Sequence, residues 1–252
     1  MFENAGLSPA NIHMRLDRFR FEGDTYAYVE LADELQAKRA VEVLNGNEFL
    51  GSKVYFRALK PDYTWDLLPS QHRRFVVNNE AGIRDAIQPY LDGRRVRLSV
   101  KSPAWGKKGN VTQRRHTDLE VLERTFSKFD IEAISRVAPQ HGQITLNPKY
   151  FCHIDFTTKK GADEAIHAFH NKEIEGVLVW VKNAEIDATK AYQIGTANKA
   201  ILTELQEKGQ APTEIDENLV SKFTKRDPMN FDRGRNSTDD SRQYMPRAES
   251  AV

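Results

Sequence analysis

Residues 25–31, TYAYVEL, set Ala27, Val29 and Leu31 on one side of a strand and Tyr26, Tyr28 and Glu30 on the other, because successive side chains of an extended chain point to opposite faces. The flanking sequence places this strand in a fold. Residues 12–21, IHMRLDRFRF, begin with strict alternation and stay strand-like, and EGD at 22–24 is a turn signal. Residues 12–31 therefore read as a hairpin. In residues 33–44, DELQAKRAVEVL, Asp33 suits an N-cap, and Leu35, Val41 and Leu44 with Ala37 and Ala40 make a helical stripe. NGNEFLGS breaks that helix, and KVYFRAL at 53–59 reads as another strand. The local order is strand, strand, helix, strand.

The same order returns downstream without a gap, at an offset of 125 residues. Tyr26 meets Phe151, Tyr28 meets His153, Val29 meets Ile154 and Leu31 meets Phe156. Ala37, Ala40, Val41 and Leu44 meet Ala162, Ala165, Ile166 and Phe169, and Gly51, Val54 and Tyr55 meet Gly176, Val179 and Trp180. Core positions fall on core positions, the signature of an internal repeat.

The second copy has more sequence before it. Val96, Leu98 and Val100 alternate with Arg97, Ser99 and Lys101, a strand pattern. A basic loop follows, then a helix expected over 117–129, capped by Thr117 or Asp118, with Leu119, Leu122, Phe126 and Phe129 inward. IEAISRVA makes the next strand. Residues 94–186 thus read β-α-β-β-α-β, the ferredoxin-like arrangement. The expected class is α+β: two such sandwiches, the first incomplete, with a C-terminal helix and a disordered tail.

These units resemble the RNA-recognition motif (RRM) family. The family's third-strand signature is basic, Gly, aromatic, Gly or Ala, aromatic, aliphatic, any, aromatic. DTYAYVEL supplies Tyr26, Ala27, Tyr28 and Val29 in order and departs at Asp24 and Thr25. KYFCHIDF supplies Lys149, Phe151, Ile154 and Phe156, with Cys152 in the small slot and His153 in a ring slot. LERTFSKFDIEAISRVA looks like the family's first helix and second strand. The resemblance covers about 1–60 and 94–186. Because MFENAG resembles the end of the family's first helix, the first unit is expected to lack its central strand, which would leave unpaired edges. Three explanations stand open: a truncated sequence, a downstream stretch such as RFVVN at 74–78 filling the slot, or a degenerate unit.

The resemblance implies non-catalytic binding of single-stranded RNA. Tyr26 and Tyr28 would stack two bases, with Tyr55 and Arg57 from the next strand on the same face. Phe151, His153, Trp180 and Lys182 are their counterparts, and Arg97 stands where the family's first strand usually has an aromatic. A reading in which these rings are covered by the C-terminal helix or a partner stays open. Residues 94–116 hold eight Lys or Arg and no acid. Lys101, Lys107, Lys108, Arg114 and Arg115 are expected to track phosphates there, and Trp105 to stack. Arg15, Arg18 and Arg20 of the hairpin are expected to divide between solvent and RNA. The alternative function is a protein-interaction module in a ribonucleoprotein or RNA-processing assembly.

Over the whole chain of 252 residues the formal net charge is only +1, so a nucleic-acid reading rests on local patches. There is no phosphate loop, HExxH or CxxC, and no cofactor or metal is expected. Cys152 sits in an apolar strand and reads as a small hydrophobe. His167 and His170 have no neighbouring ligand cluster in sequence. No apolar run reaches the length of a membrane span. The expected divisions are a first unit at 1–60, a linker at 61–93 with a short helix interrupted near Pro89, a second unit at 94–186, a helix at 187–208 and a disordered tail at 209–252. The expected compartment is nucleus or cytoplasm, the nucleus favoured; organellar targeting stays open if the N-terminus is truncated.

Overall fold

In the computed structural model, residues 1–59, 74–101, 111–139 and 149–215 are described, apart from the side chains of Thr25, residues 111–117 and Pro139. The first unit holds β1 (Asn11–Asp17), β2 (Glu22–Glu30), α1 (Glu34–Leu44) and a small hairpin of β3 (Glu48–Phe49) and β4 (Ser52–Lys53). The connector supplies β5 (Phe75–Val77) and α2 (Glu80–Leu91). The second unit holds β6 (Arg95–Lys101), α3 (Val111–Phe126), β7 (Ile131–Ile134), β8 (Ala138–Pro139), β9 (Lys149–Phe156), α4 (Lys159–Phe169), β10 (Lys172–Ile174) and β11 (Val177–Asn183). α5 (Ala188–Ala197) and α6 (Lys199–Glu207) follow.

The repeat survives in the backbone. α1 and α4 are related by the sequence offset at both ends. The Asp33 carboxylate caps α1 by accepting from Gln36 N–H, and the Thr158 hydroxyl caps α4 by accepting from Gly161 N–H. The turn residues Leu50 and Gly51 have φ of 50° and 77°, and their counterparts Glu175 and Gly176 have 48° and 77°. Two consecutive left-handed residues suit a two-residue hairpin. Glu48 pairs with Lys53, and Glu173 with Leu178, in the same register.

The second unit is a complete ferredoxin-like sandwich. Its sheet runs β10-β11-β6-β9-β7, so the first strand of the unit is central. Val96, Leu98, Val100, Cys152, Ile154, Phe156, Val179 and Val181 project from the sheet into one core with Val121, Leu122 and Phe126 of α3 and Ala162 and Ala165 of α4. Each large aliphatic buried here contributes roughly 1.5–3 kcal/mol.

The first unit departs from expectation. Residues 54–59 form no strand, and no strand among the described residues pairs with them. RFVVN does not fill the slot of the central strand: β5 pairs with β1, Arg15 opposite Val77, on the far edge of the hairpin, giving the order β2-β1-β5. Ala27 and Val29 share the strand side of Leu31, yet Ala27 is exposed and Val29 only half-buried. α1 packs instead with Leu7, Phe2, Leu31 and Phe56.

Other boundaries also move. α3 begins at Val111 rather than Thr117, so part of the expected basic loop is helix. α2 is not interrupted: it runs past Pro89, whose ring is buried, and the one helix bond lost is the bond that residue 89 would donate to the carbonyl of Asp85, two residues before the helix ends. A β-carbon on Gly82 would lie 2.0 Å from Val77 O, so only glycine lets α2 start this close to β5. The C-terminal helix is two helices, because the Asn198 side chain accepts from Ile201 N–H and caps a new start. The expected tail beyond residue 215 lies outside the described residues.

The hairpin tip, α2, α5 and α6 join the units. Leu16 and Phe21 pack with Ile83, Ala86 and Ile87 of α2, Ala191 and Ile194 of α5, and Ile201, Leu202 and Leu205 of α6. Beside this core, Arg95 donates to both Asp155 oxygens at 2.5 and 2.7 Å, and Arg18 reaches Asp155 at 3.2 Å and Glu132 at 2.9 Å. Removing one member leaves a buried charge uncompensated. Asp155→Ala is expected to cost about 3–5 kcal/mol in urea unfolding, whereas Arg84→Ala, which breaks exposed pairs with Glu80 and Glu204, should leave the midpoint near that of the native chain.

Candidate nucleic-acid interface

Cross-strand register lays out the second unit's outer face in rows, since directly opposed residues share a face. Arg95 faces Asp155 in the first row. Lys182, Arg97 and His153 make the second, and Trp180, Ser99 and Phe151 the third. Lys101 and Lys149 make the fourth.

The first row and the His153 end of the second are covered from within the chain. The turn at 18–21 lies over them: the Asp17 carboxylate accepts from Phe19 N–H at 2.9 Å and Arg20 N–H at 3.2 Å, and Arg74 holds its other oxygen at 2.6 Å. This shape delivers Phe19 onto His153, ring centroids 6.3 Å apart and nearly parallel at 10°. The Arg95 guanidinium lies 4.7 Å from the Phe19 ring and 4.3 Å from Tyr90. Lys190 of α5 donates to Phe19 O and to Gln193 Oε1. His153 is consequently only 9% exposed. It was expected to stack on a base; its ring is already taken. Burial first, then cationic Lys190, Arg95 and Arg97, hold its imidazole well below the ordinary value.

The rest of the face is open. Phe151 and Trp180 are half-buried on either side of Ser99, and Lys101, Lys149 and Lys182 are exposed. The Arg97 guanidinium sits 4.8 Å from the Phe151 ring, and its buried Nε has no hydrogen-bond partner among the described residues. Lys101 Nζ lies 5.9 Å from the Trp180 ring. Two rings, one planar cation and three lysines thus share one surface, and on the edge strand β10 the exposed carboxylate of Glu173 stands on the same face opposite Leu178.

The first unit brings less together. Tyr26 is 55% exposed on β2. Tyr28, two residues on, is half-buried beneath Arg15, whose guanidinium is 5.1 Å from the tyrosine ring and 4.5 Å from Phe75. Asp24 binds that same guanidinium at 2.5 and 3.0 Å. Tyr55 and Arg57 are exposed on the segment that forms no strand, so they do not extend the sheet face as expected. Arg18 is buried in the junction and Arg20 is exposed, 3.9 Å from Glu22. Trp105, Lys107 and Lys108 lie outside the described residues, and Arg114 and Arg115 belong to α3 rather than to a loop.

The sequence reading missed Phe19, Lys190 and, as a surface cation, Lys149. Phe19 was hidden because RLDRFRF goes on alternating after the strand has ended; the turn shows in Phe21, whose φ is 56°. Cys152 is buried; burial, then Asp118, push its thiol up to about 12, so it packs as a small apolar residue. His170 Nδ1 lies 2.6 Å from Val181 O, and among the described residues no His, Cys, Asp and Glu cluster suits a metal. Among the described residues, no helix is long and apolar enough to cross a membrane.

No protein-family model and no curated protein matches the chain. Solved structures do. The RRM3 domain of Mip6 aligns at 8% identity, covering 37% of this chain and 95% of that one, with a TM-score of 0.26. The N-terminal three RNA-binding domains of the yeast splicing factor Prp24 align at 18% identity, covering 73% and 59%, with a TM-score of 0.25. RNA-recognition domains 1 and 2 of Sex-lethal from Drosophila melanogaster align at 16% identity, covering 71% and 85%, with a TM-score of 0.25.

Burial, followed by the charge of Arg95, brings Lys190 down from 10.5 to about 7. Between those values the unfolded chain holds a proton that the folded chain has released, so stability rises with pH across the window. The urea midpoint of the native chain is expected to climb from about pH 7 to about pH 9, and to climb much less in Lys190→Met. Parallel profiles for the two proteins would exclude this role for the amine.

Proposed function

We propose that the chain binds single-stranded RNA without catalysis, through the open rows of the second unit's sheet. Phe151 and Trp180 stack on bases, and Arg97, Lys101, Lys149 and Lys182 neutralise phosphates. The observation that carries this reading is the pairing of two accessible rings across one row with cations in the rows on both sides. Stacking is tolerant of base identity, because each base offers a π face, and contributes about 1–3 kcal/mol per base. The resemblance of KYFCHIDF to the RRM signature points the same way. Tyr26 is an outlying ring in this scheme. Tyr28, under Arg15, and His153, under Phe19, have no free face to offer on the covered side.

In fluorescence anisotropy with a mixed set of short RNAs, Phe151→Ala and Trp180→Ala are each expected to raise Kd by about 5- to 150-fold, with the unfolding midpoint little changed. Tyr26→Ala should change Kd by less than about threefold. Each of Lys101→Glu and Lys182→Glu should flatten the dependence of log Kd on log salt by about 0.7. Absence of saturable RNA binding by the native chain would refute the proposal.

A further inference from the structure

We propose that Glu173 reads the base stacked on Trp180 and favours guanine there, a selection that rests on the RNA-binding reading above. The hairpin of β10 and β11 turns on Glu175 and Gly176, with φ of 48° and 77°. This two-residue turn sets Ile174 opposite Val177 and Glu173 opposite Leu178. Ile174 and Val177 enter the core, so Glu173 and Leu178 point to the outer face. Leu178 is 40% exposed there, and Trp180 follows two residues on, on the same face. Glu173 is thus the diagonal neighbour of Trp180, roughly 7–8 Å away along the sheet and within reach of a long side chain. On the open part of the face it is the one carboxylate among the described residues.

Neighbouring acids are committed to partners, and this one is not. Glu175, two residues on, is bound by Arg124. In the first unit the counterpart of Glu173 is Glu48, which stands opposite Lys53, a cross-strand pair of opposite charge. The 125-residue offset puts Leu178 in that lysine's place. Glu173 has no ion pair or hydrogen bond among the described residues. A free carboxylate on a face that gathers phosphates opposes binding by like-charge repulsion. What it can accept from is the donor edge of a base. Guanine presents two neighbouring donors, N1–H and the N2 amino group, to the two carboxylate oxygens, and a bidentate pair with an ionised acceptor is the strong kind. Adenine and cytosine each present one amino group beside a ring-nitrogen acceptor, and the N–H of uracil lies between two carbonyls that repel the carboxylate.

The probes are three labelled short RNAs, UUGUU, UUIUU and UUUUU, titrated by anisotropy against the full chain; inosine is guanosine without its N2 amino group. The native chain is expected to hold UUGUU about 5- to 150-fold tighter than UUUUU, with UUIUU between them. Glu173→Ala, a change at an exposed position, should abolish the difference among the three, with UUUUU bound as tightly as before or more tightly. Equal Kd values on the native chain would overturn the proposal, as would a guanine preference that survives in Glu173→Ala. A parallel gain for all three RNAs in Glu173→Ala would overturn it too, making Glu173 a solvated edge charge. Each of those results leaves RNA binding standing, whereas no saturable binding of any of the three would overturn the RNA-binding reading and this selection with it.

Discussion

Arg95 and Asp155 are both fully buried, each the other's bidentate partner, at the end of the central strand pair. Taking two ions out of water costs several kcal/mol per ion unless the remaining hydrogen-bonding capacity is met. Here a second cation, Arg18 from the tip of the first unit's hairpin, lies 3.2 Å from the carboxylate as an ion pair. The guanidinium is enclosed by the Phe19 and Tyr90 rings. The pair therefore requires the first unit to be where it is. The hairpin tip, α2 and α5 follow from it, and the apolar contacts of Leu16 and Phe21 with α2, α5 and α6 add the burial that makes the arrangement favourable.

That constraint also shapes the candidate site. By closing over the Arg95 row, the tip places Phe19 on His153 and leaves Arg95, Asp155 and His153 buried. What stays open is the part farther from the junction, where Phe151, Trp180, Arg97 and the lysines lie. The same residue pattern that would make a full-length base platform in an isolated unit makes a shorter one here. Lys190 belongs to this closure: burial, then the charge of Arg95, lowers its pKa.

Much of the fold was legible as sequence because it depends on local rules. Alternation marked the strands, the helical stripe marked α1 and α4, and Asp33 and Thr158 mark their starts by capping chemistry. The glycine pair Gly51 and Gly176 follows from a left-handed turn position. The site was legible only in part. Phe151 and Trp180 were found because strand periodicity assigns a face, and that assignment needs no knowledge of partners. His153 was misread as accessible because exposure depends on what lands on the face, and Phe19 is 134 residues away in sequence (153 less 19). Tyr55 and Arg57 were misplaced for the converse reason: a strand is stable only when something pairs with it, and nothing in KVYFRAL records whether that neighbour is beside it.

The sequence by itself determined the two β-strand and helix copies, their 125-residue relation and which side chains alternate outward, since these rest on periodicity, capping and turn geometry within a few residues. Only the tertiary structure decided which outward faces stay open. It joined the units through Arg18, Arg95 and Asp155, covered His153, left Phe151 and Trp180 accessible, and left β2 with an unpaired edge among the described residues. Those outcomes come from long-range burial and charge compensation, which depend on distant residues meeting and so are not written in any one stretch of the chain.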